Sequence, residues 1–305
     1  MRALLVILAV SLSAAAQVRM ISSIPSPEQS VQDGAQMSPG AAELCEQQLE
    51  KDPNDLTARA KLIGYYFYQW MRAGEERSKA ARRRHILWTI QHRPEHPLAA
   101  LYESILDPKG TSLADPPAYQ EARRLWLSHL ETRSGDVAAA GNVGKYFQLN
   151  DRELAERGYK QALAIDPRNG EWQWRLGFLY GLAILGVDAL AFNGQPASID
   201  PLAQQSPFTA KARKELETSA SPLLVAVAGN ILARYGTMLA ASEKSRIEHL
   251  EEAEKLYRRA QMLDPNNPSW KQMLQEAKAL KIRMQVSDPP SDGRAARPRP
   301  PGKKP

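Results

Sequence analysis

Cysteine is almost missing from this 305-residue chain. The single thiol, Cys45, excludes an intramolecular disulfide, so stability has to come from packing. A lone cysteine on an apolar helix face is ordinarily a small buried hydrophobe rather than a reactive group. Alternating runs of β-branched residues are missing too, which argues against a sheet. There is no glycine-rich phosphate cradle, and no serine, cysteine or histidine arrangement reads as a nucleophile. His92, Glu95 and His96 lie close together, but Pro94 keeps the two histidines off one regular helical turn, so they read as a solvated turn and not a metal site. Past the first sixteen residues, no stretch reads as apolar for the roughly 18 residues that a membrane-spanning helix needs.

What is present begins with an export pattern. Arg2 is followed by the apolar run Ala3 to Leu12, and Ala14-Ala15-Ala16 offers a small-x-small cleavage site. The expected mature chain starts at Gln17 and is periplasmic or secreted, with no integral membrane segment once the signal is removed. The net charge of +6 is half accounted for beyond residue 286, where Arg294, Arg297, Arg299, Lys303 and Lys304 outnumber Asp288 and Asp292. The remaining body is close to neutral, which together with export disfavours nucleic acid as a partner. Composition divides the chain into a signal peptide (1–16), a flexible linker rich in Ser, Gln, Pro and Gly (17–40), a helical body (41–286) and a disordered Pro/Arg-rich tail (287–305).

Within the body, six turns recur at spacings of 33 to 52 residues: Asp52-Pro53-Asn54-Asp55, Arg93-Pro94-Glu95-His96, Ser134-Gly135-Asp136, Asp166-Pro167-Arg168-Asn169, Ser219-Ala220-Ser221-Pro222 and Asp264-Pro265-Asn266-Asn267. Proline cannot continue the preceding helix, and Asp, Asn or Ser caps the next. Before Pro167 stand Ala155, Tyr159 and Ala162. Before Pro265 stand Ala253, Tyr257 and Ala260, at the same intervals. After the turns come Val143-Gly144 with Phe147 and Leu176-Gly177 with Tyr180. A small residue lets two helices approach, and an aromatic of one fills the space beside it.

With these residues the chain resembles the tetratricopeptide repeat (TPR) family over residues 41–283. The pattern fails before Pro94, where Arg82 and Thr89 stand in small-residue places, and before Ser219, where Lys211 and Lys214 do. Residues 186–207 read as a long loop. The resemblance implies an all-α fold, an α-solenoid of TPR-like helical hairpins forming a right-handed superhelix and ending in a capping helix near Leu274 to Met284. It also implies a non-catalytic scaffold that binds a protein or peptide partner on a concave face, without cofactor or metal. Carried over by register, that face holds Asn142, Lys145 and Gln148 in one unit and Trp174, Arg175, Phe178 and Leu182 in the next. The competing reading is that residues 186–207 cover the aromatics.

Arg82-Arg83-Arg84 points in three directions on a helix and reads as a solvated basic face. Glu103-Ser104 with Asp107-Pro108 faintly resembles the Glu-Ser segment of lytic transglycosylases, in which the glutamate is a general acid; the glycine-rich segment that follows it in that family is absent. A cell-wall glycan-active enzyme on a helical superhelix is therefore the alternative. A Glu103 in a closed pocket would favour the enzyme, and an open groove with aromatic walls would favour the scaffold.

Overall fold

The structure is a computed structural model that describes residues 25–108, 114–187 and 198–287. The expected signal peptide, residues 17–24 of the expected linker and the tail past Ser287 lie outside the described residues. Among the described residues the fold is all-α, and the only β feature is an isolated bridge between Asp107 and Ala114. The body expected as one array divides into two compact units: one reaches Asn150 and includes Ala164–Pro167, and the other comprises Asp151–Leu163 and the chain from Arg168.

The first unit contains α1 (Pro27–Ala35), α2 (Pro39–Lys51), α3 (Leu56–Ala73), α4 (Glu76–His92), two 3-10 turns (Pro97–Ala100 and Tyr102–Ser104), α5 (Pro116–Thr132) and α6 (Val137–Phe147). Helix starts follow capping chemistry. Asp55 accepts from the Ala58 N–H at 2.9 Å, and Asp136 accepts from Ala139 at 2.9 Å.

Residues 27–35, expected within a flexible linker, instead form a helix docked on α3. Ser26 caps it, Pro27 occupies its first turn, and Val31 is 1% exposed. The contact depends on two glycines. A Cβ on Gly34 would overlap the Lys61 carbonyl, and one on Gly64 would overlap the Val31 carbonyl. Deeper in the unit, Trp126 packs on Tyr146 (ring centroids 5.7 Å apart), and Tyr146 on Phe147 (4.9 Å).

The second unit contains α7 (Arg152–Ile165) as far as Leu163, α8 (Gly170–Leu185), a single turn at Pro201–Gln204, α9 (Pro207–Thr218), α10 (Pro222–Ile231), α11 (Glu243–Leu263) and α12 (Pro268–Ser287). α8 and α10 lie in close contact because Gly177 sits on the Leu224 carbonyl and because a Cβ on Gly181 would come within 2.7 Å of the Ile231 Cβ. Tyr159 and Tyr257, with the alanines flanking each, are buried as wedges, and Tyr159 stacks on Trp172 at 6.5 Å. α10 runs through a π-helical turn, Leu232–Gly236, into Thr237–Leu239. Contrary to the sequence expectation, Pro222–Leu239 is long and apolar enough to cross a membrane, with a mean hydropathy of 1.3. Half of it is buried in the unit, with α8 and α11 packed against it.

Candidate functional site

The six residues assigned to a binding face fall three in each unit. In the first unit, Asn142 is not available as a contact residue. It is 4% exposed, and its Nδ2 donates to the carbonyls of Pro94 (2.8 Å) and His96 (3.0 Å), pinning the turn before the 3-10 segment. Lys145 and Gln148 are partly buried at the end of α6.

In the second unit, Trp174, Arg175 and Phe178 do come together on α8. Trp174 is 39% exposed and stacks on Phe178, one helical turn on, with centroids 5.1 Å apart and planes 18° from parallel. The Arg175 guanidinium lies 5.5 Å from the Trp174 centroid, and its Nε stands 3.6 Å from Glu171 Oε1. A stacked aromatic pair contributes about 0.5–1.5 kcal/mol and an exposed cation–π contact about 0.5–1 kcal/mol, enough to hold the Trp174 ring in a preferred pose at the surface. Phe178 is nearly covered and Leu182 is fully buried, so the exposed face narrows to Glu171, Trp174 and Arg175.

The Arg82-Arg83-Arg84 run is solvated only in part: the Arg84 side chain is exposed and that of Arg83 partly so, but Arg82 is not. Arg82 is 1% exposed and donates from Nε to the Glu103 carbonyl (2.9 Å) and from Nη2 to the Ile105 carbonyl (2.7 Å); burial lowers its pKa to about 10. Arg83 pairs with Asp115 at 2.7 Å, and Arg84 with Glu46 at 2.8 Å. The sequence placed Arg82 where a small residue was expected, and burial of a cation there is what holds the 3-10 segment in place of a regular helix.

A second buried polar set joins α2, α3 and α4. Arg59, stacked 3.5 Å over Trp88, donates to His85 Nδ1 at 3.2 Å. The other ring nitrogen, Nε2, lies 3.0 Å from Glu46 Oε1 and 3.3 Å from Arg84 Nη2. Tyr66 also donates to Glu46, at 2.8 Å. Burial would raise the Glu46 pKa, but the bonds from His85 and Tyr66 with the charge of Arg84 outweigh it and hold the carboxylate at about 2. The set braces three helices, with Arg59 and His85 buried and Glu46 partly exposed beside Arg84.

The His92–His96 turn is spoken for as well. His92 Nδ1 meets the Trp88 carbonyl at 2.9 Å, His96 accepts from the Leu98 N–H at 3.3 Å, and Glu95 pairs with Arg133 at 3.4 Å. Among the described residues no group of three His, Cys, Asp or Glu side chains is placed to hold a metal ion. Glu103 is partly buried on the second 3-10 turn, beside Tyr102, and burial pushes its carboxyl up. No protein-family model matches this chain, and no curated protein or solved structure shows significant similarity to it.

Proposed function

We propose that this protein is a non-catalytic, exported scaffold of TPR-like helical hairpins, an α-solenoid, that binds a protein or peptide partner through the exposed face of α8. The observation that carries the reading is Trp174, a large ring left 39% exposed while Phe178 and Arg175 hold its orientation. Oriented aromatics next to an arginine are the composition from which binding hot spots are built. The repeat reading is supported by the burial of Ala155, Tyr159 and Ala162 and of Ala253, Tyr257 and Ala260 at matching intervals, each set on a helix that ends at a proline turn. Export rests on the composition of residues 1–16 alone.

Capture from the envelope fraction tests this, comparing the mature protein with its Trp174→Ala variant. The expected result is weaker capture with an almost unchanged thermal melt. A large loss of stability, or capture that does not change, would overturn the reading. The raised carboxyl of Glu103 favours the second reading, a glycan-active enzyme, because a general acid has to keep its proton. That reading requires the mature protein to release soluble fragments from cell-wall glycan and the Glu103→Gln variant to release none.

A further inference from the structure

A buried imidazole ordinarily spends its ring nitrogens on hydrogen bonds. Four of the five histidines in this chain have a partner: His85 meets Arg59 and Glu46, His92 the Trp88 carbonyl, His96 the Leu98 N–H and His129 the Ile90 carbonyl. His249, on α11, is the exception. It is 6% exposed, and its Nε2 is buried with no hydrogen-bond partner among the described residues. The other four histidines all belong to the first unit, so proton uptake by histidine in the second unit is uptake by His249.

The ring lies against backbone. A Cβ on Gly236 would come within 2.7 Å of the His249 Cβ and 3.0 Å of its Cδ2, the ring atom next to Nε2, so glycine is what lets the two segments touch. Gly236 closes the π-helical turn Leu232–Gly236, a rare conformation that depends on the packing around it. The first two turns of α11 have little else to hold them there: from Glu243 to Leu250 only His249 and Leu250 are buried.

The charges near this contact are not placed to neutralise a protonated ring. On α11, Glu248 is exposed and 3.9 Å from Lys244, Arg246 carries the wrong sign, and Glu252 is paired with Arg213 of α9. On the π turn Arg234 lies 5.3 Å over Tyr235, and on α12 Lys281 is held by Glu254 at 2.7 Å. Burial outweighs the attraction of Glu248 and holds the imidazole pKa below its ordinary value, and Arg213 adds to the lowering.

We infer that His249 and the π turn form an acid-operated latch: protonation puts an unpaired charge between α11 and Gly236, and the two turns from Glu243 to Leu250 lift away. The rest of α11 stays in place, held by Ala253, Tyr257 and Ala260, which are buried farther along it. Opening uncovers the π turn near the end of the apolar stretch Pro222–Leu239. The latch is separate from Trp174 and does not depend on it.

The test is hydrogen exchange of the full chain, read by mass spectrometry at several pH values from 7 to 5, with rates corrected for the intrinsic effect of pH on exchange. One proton taken up at the ordinary histidine pKa favours opening by up to about 25-fold over that range. Amides of Ile247 to Leu250 should accelerate toward that limit, and those of α7 around Tyr159 much less. His249→Leu, which cannot titrate, should show no such acceleration. If His249→Leu fails to fold, the wild-type series decides: acceleration confined to the start of α11 supports the latch. Equal acceleration in α7 and α11 would overturn it, because His249 would then act on the whole unit. No acceleration in wild type, or the same acceleration in His249→Leu, would overturn it as well.

Discussion

Gly64→Ala tests whether α1 belongs to the folded body. The added Cβ would overlap the Val31 carbonyl, with the Val31 Cα only 3.1 Å away. Both are backbone atoms, so no rotamer change relieves the clash and the helices must separate. Overpacking of this kind costs about 1–3 kcal/mol. On α3 itself the change gains about 1 kcal/mol of helix propensity, so the body should hold. α1 is more vulnerable: it has nine residues, and its docking rests largely on Val31, whose burial contributes roughly 1.5–3 kcal/mol. The two quantities are similar, so the clash is relieved by α1 opening, not by unfolding of the unit. Hydrogen exchange read by mass spectrometry should show the amides near Val31 to Gln36 exchanging about 5- to 150-fold faster, while the melting temperature moves by only a few degrees. Exchange in α1 equal to wild type would refute the close Gly34–Gly64 contact, and loss of the whole fold would refute the claim that α1 is the weaker element.

Tyr159→Ala removes a fully buried ring that stacks on Trp172, and should cost about 3–5 kcal/mol, seen as a sharply lowered melting temperature; an unchanged melt would show the register to be wrong. His85, His96, His129 and His249 all have pKa values lowered, first of all by burial. The unfolded chain therefore takes up protons first, so stability is level above about pH 6.5 and falls as pH drops below it. Glu46 and Glu156, both lowered, add their losses only below the ordinary carboxylate range. The urea midpoint should fall between pH 7 and pH 5, and a midpoint independent of pH would contradict this. Deleting residues 288–305 should leave the helical circular-dichroism signal intact, because the composition of that segment is that of a solvated tether; a lower signal per molecule than the missing residues explain would count against it.

Local chemistry made much of this fold legible. All six turns fall between helices or at helix ends, and Asp55, Asp136, Asn169 and Ser221 cap the helices that follow them. The small–aromatic–small positions read before Pro167 and Pro265 are buried. What escaped depends on contacts distant in sequence. α1 is polar in composition and looks like a linker until Gly34 meets the backbone of α3 nearly thirty residues on. The repeat pattern fails before Pro94, and what replaces it could not be read locally: Arg82, Asn142 and Tyr146 hold residues 97–106 in 3-10 turns from elements on either side. The same arrangement removes Asn142 from the proposed binding face, since its amide is turned into that segment. Trp174, Arg175 and Phe178 could be grouped from helical spacing alone, because residues three and four apart share a face.

We propose that α8 carries a partner-binding surface on an exported protein. Its most direct test is site-specific photo-crosslinking in cells, with a benzoyl-phenylalanine placed at position 174 of the full chain and, as a control, at Met238, 54% exposed at the end of the π-helical turn. The expected result is a discrete adduct to one envelope protein from position 174 and none from position 238, on a chain whose intact mass begins at Gln17. No adduct from position 174 on a correctly folded, processed chain would contradict it.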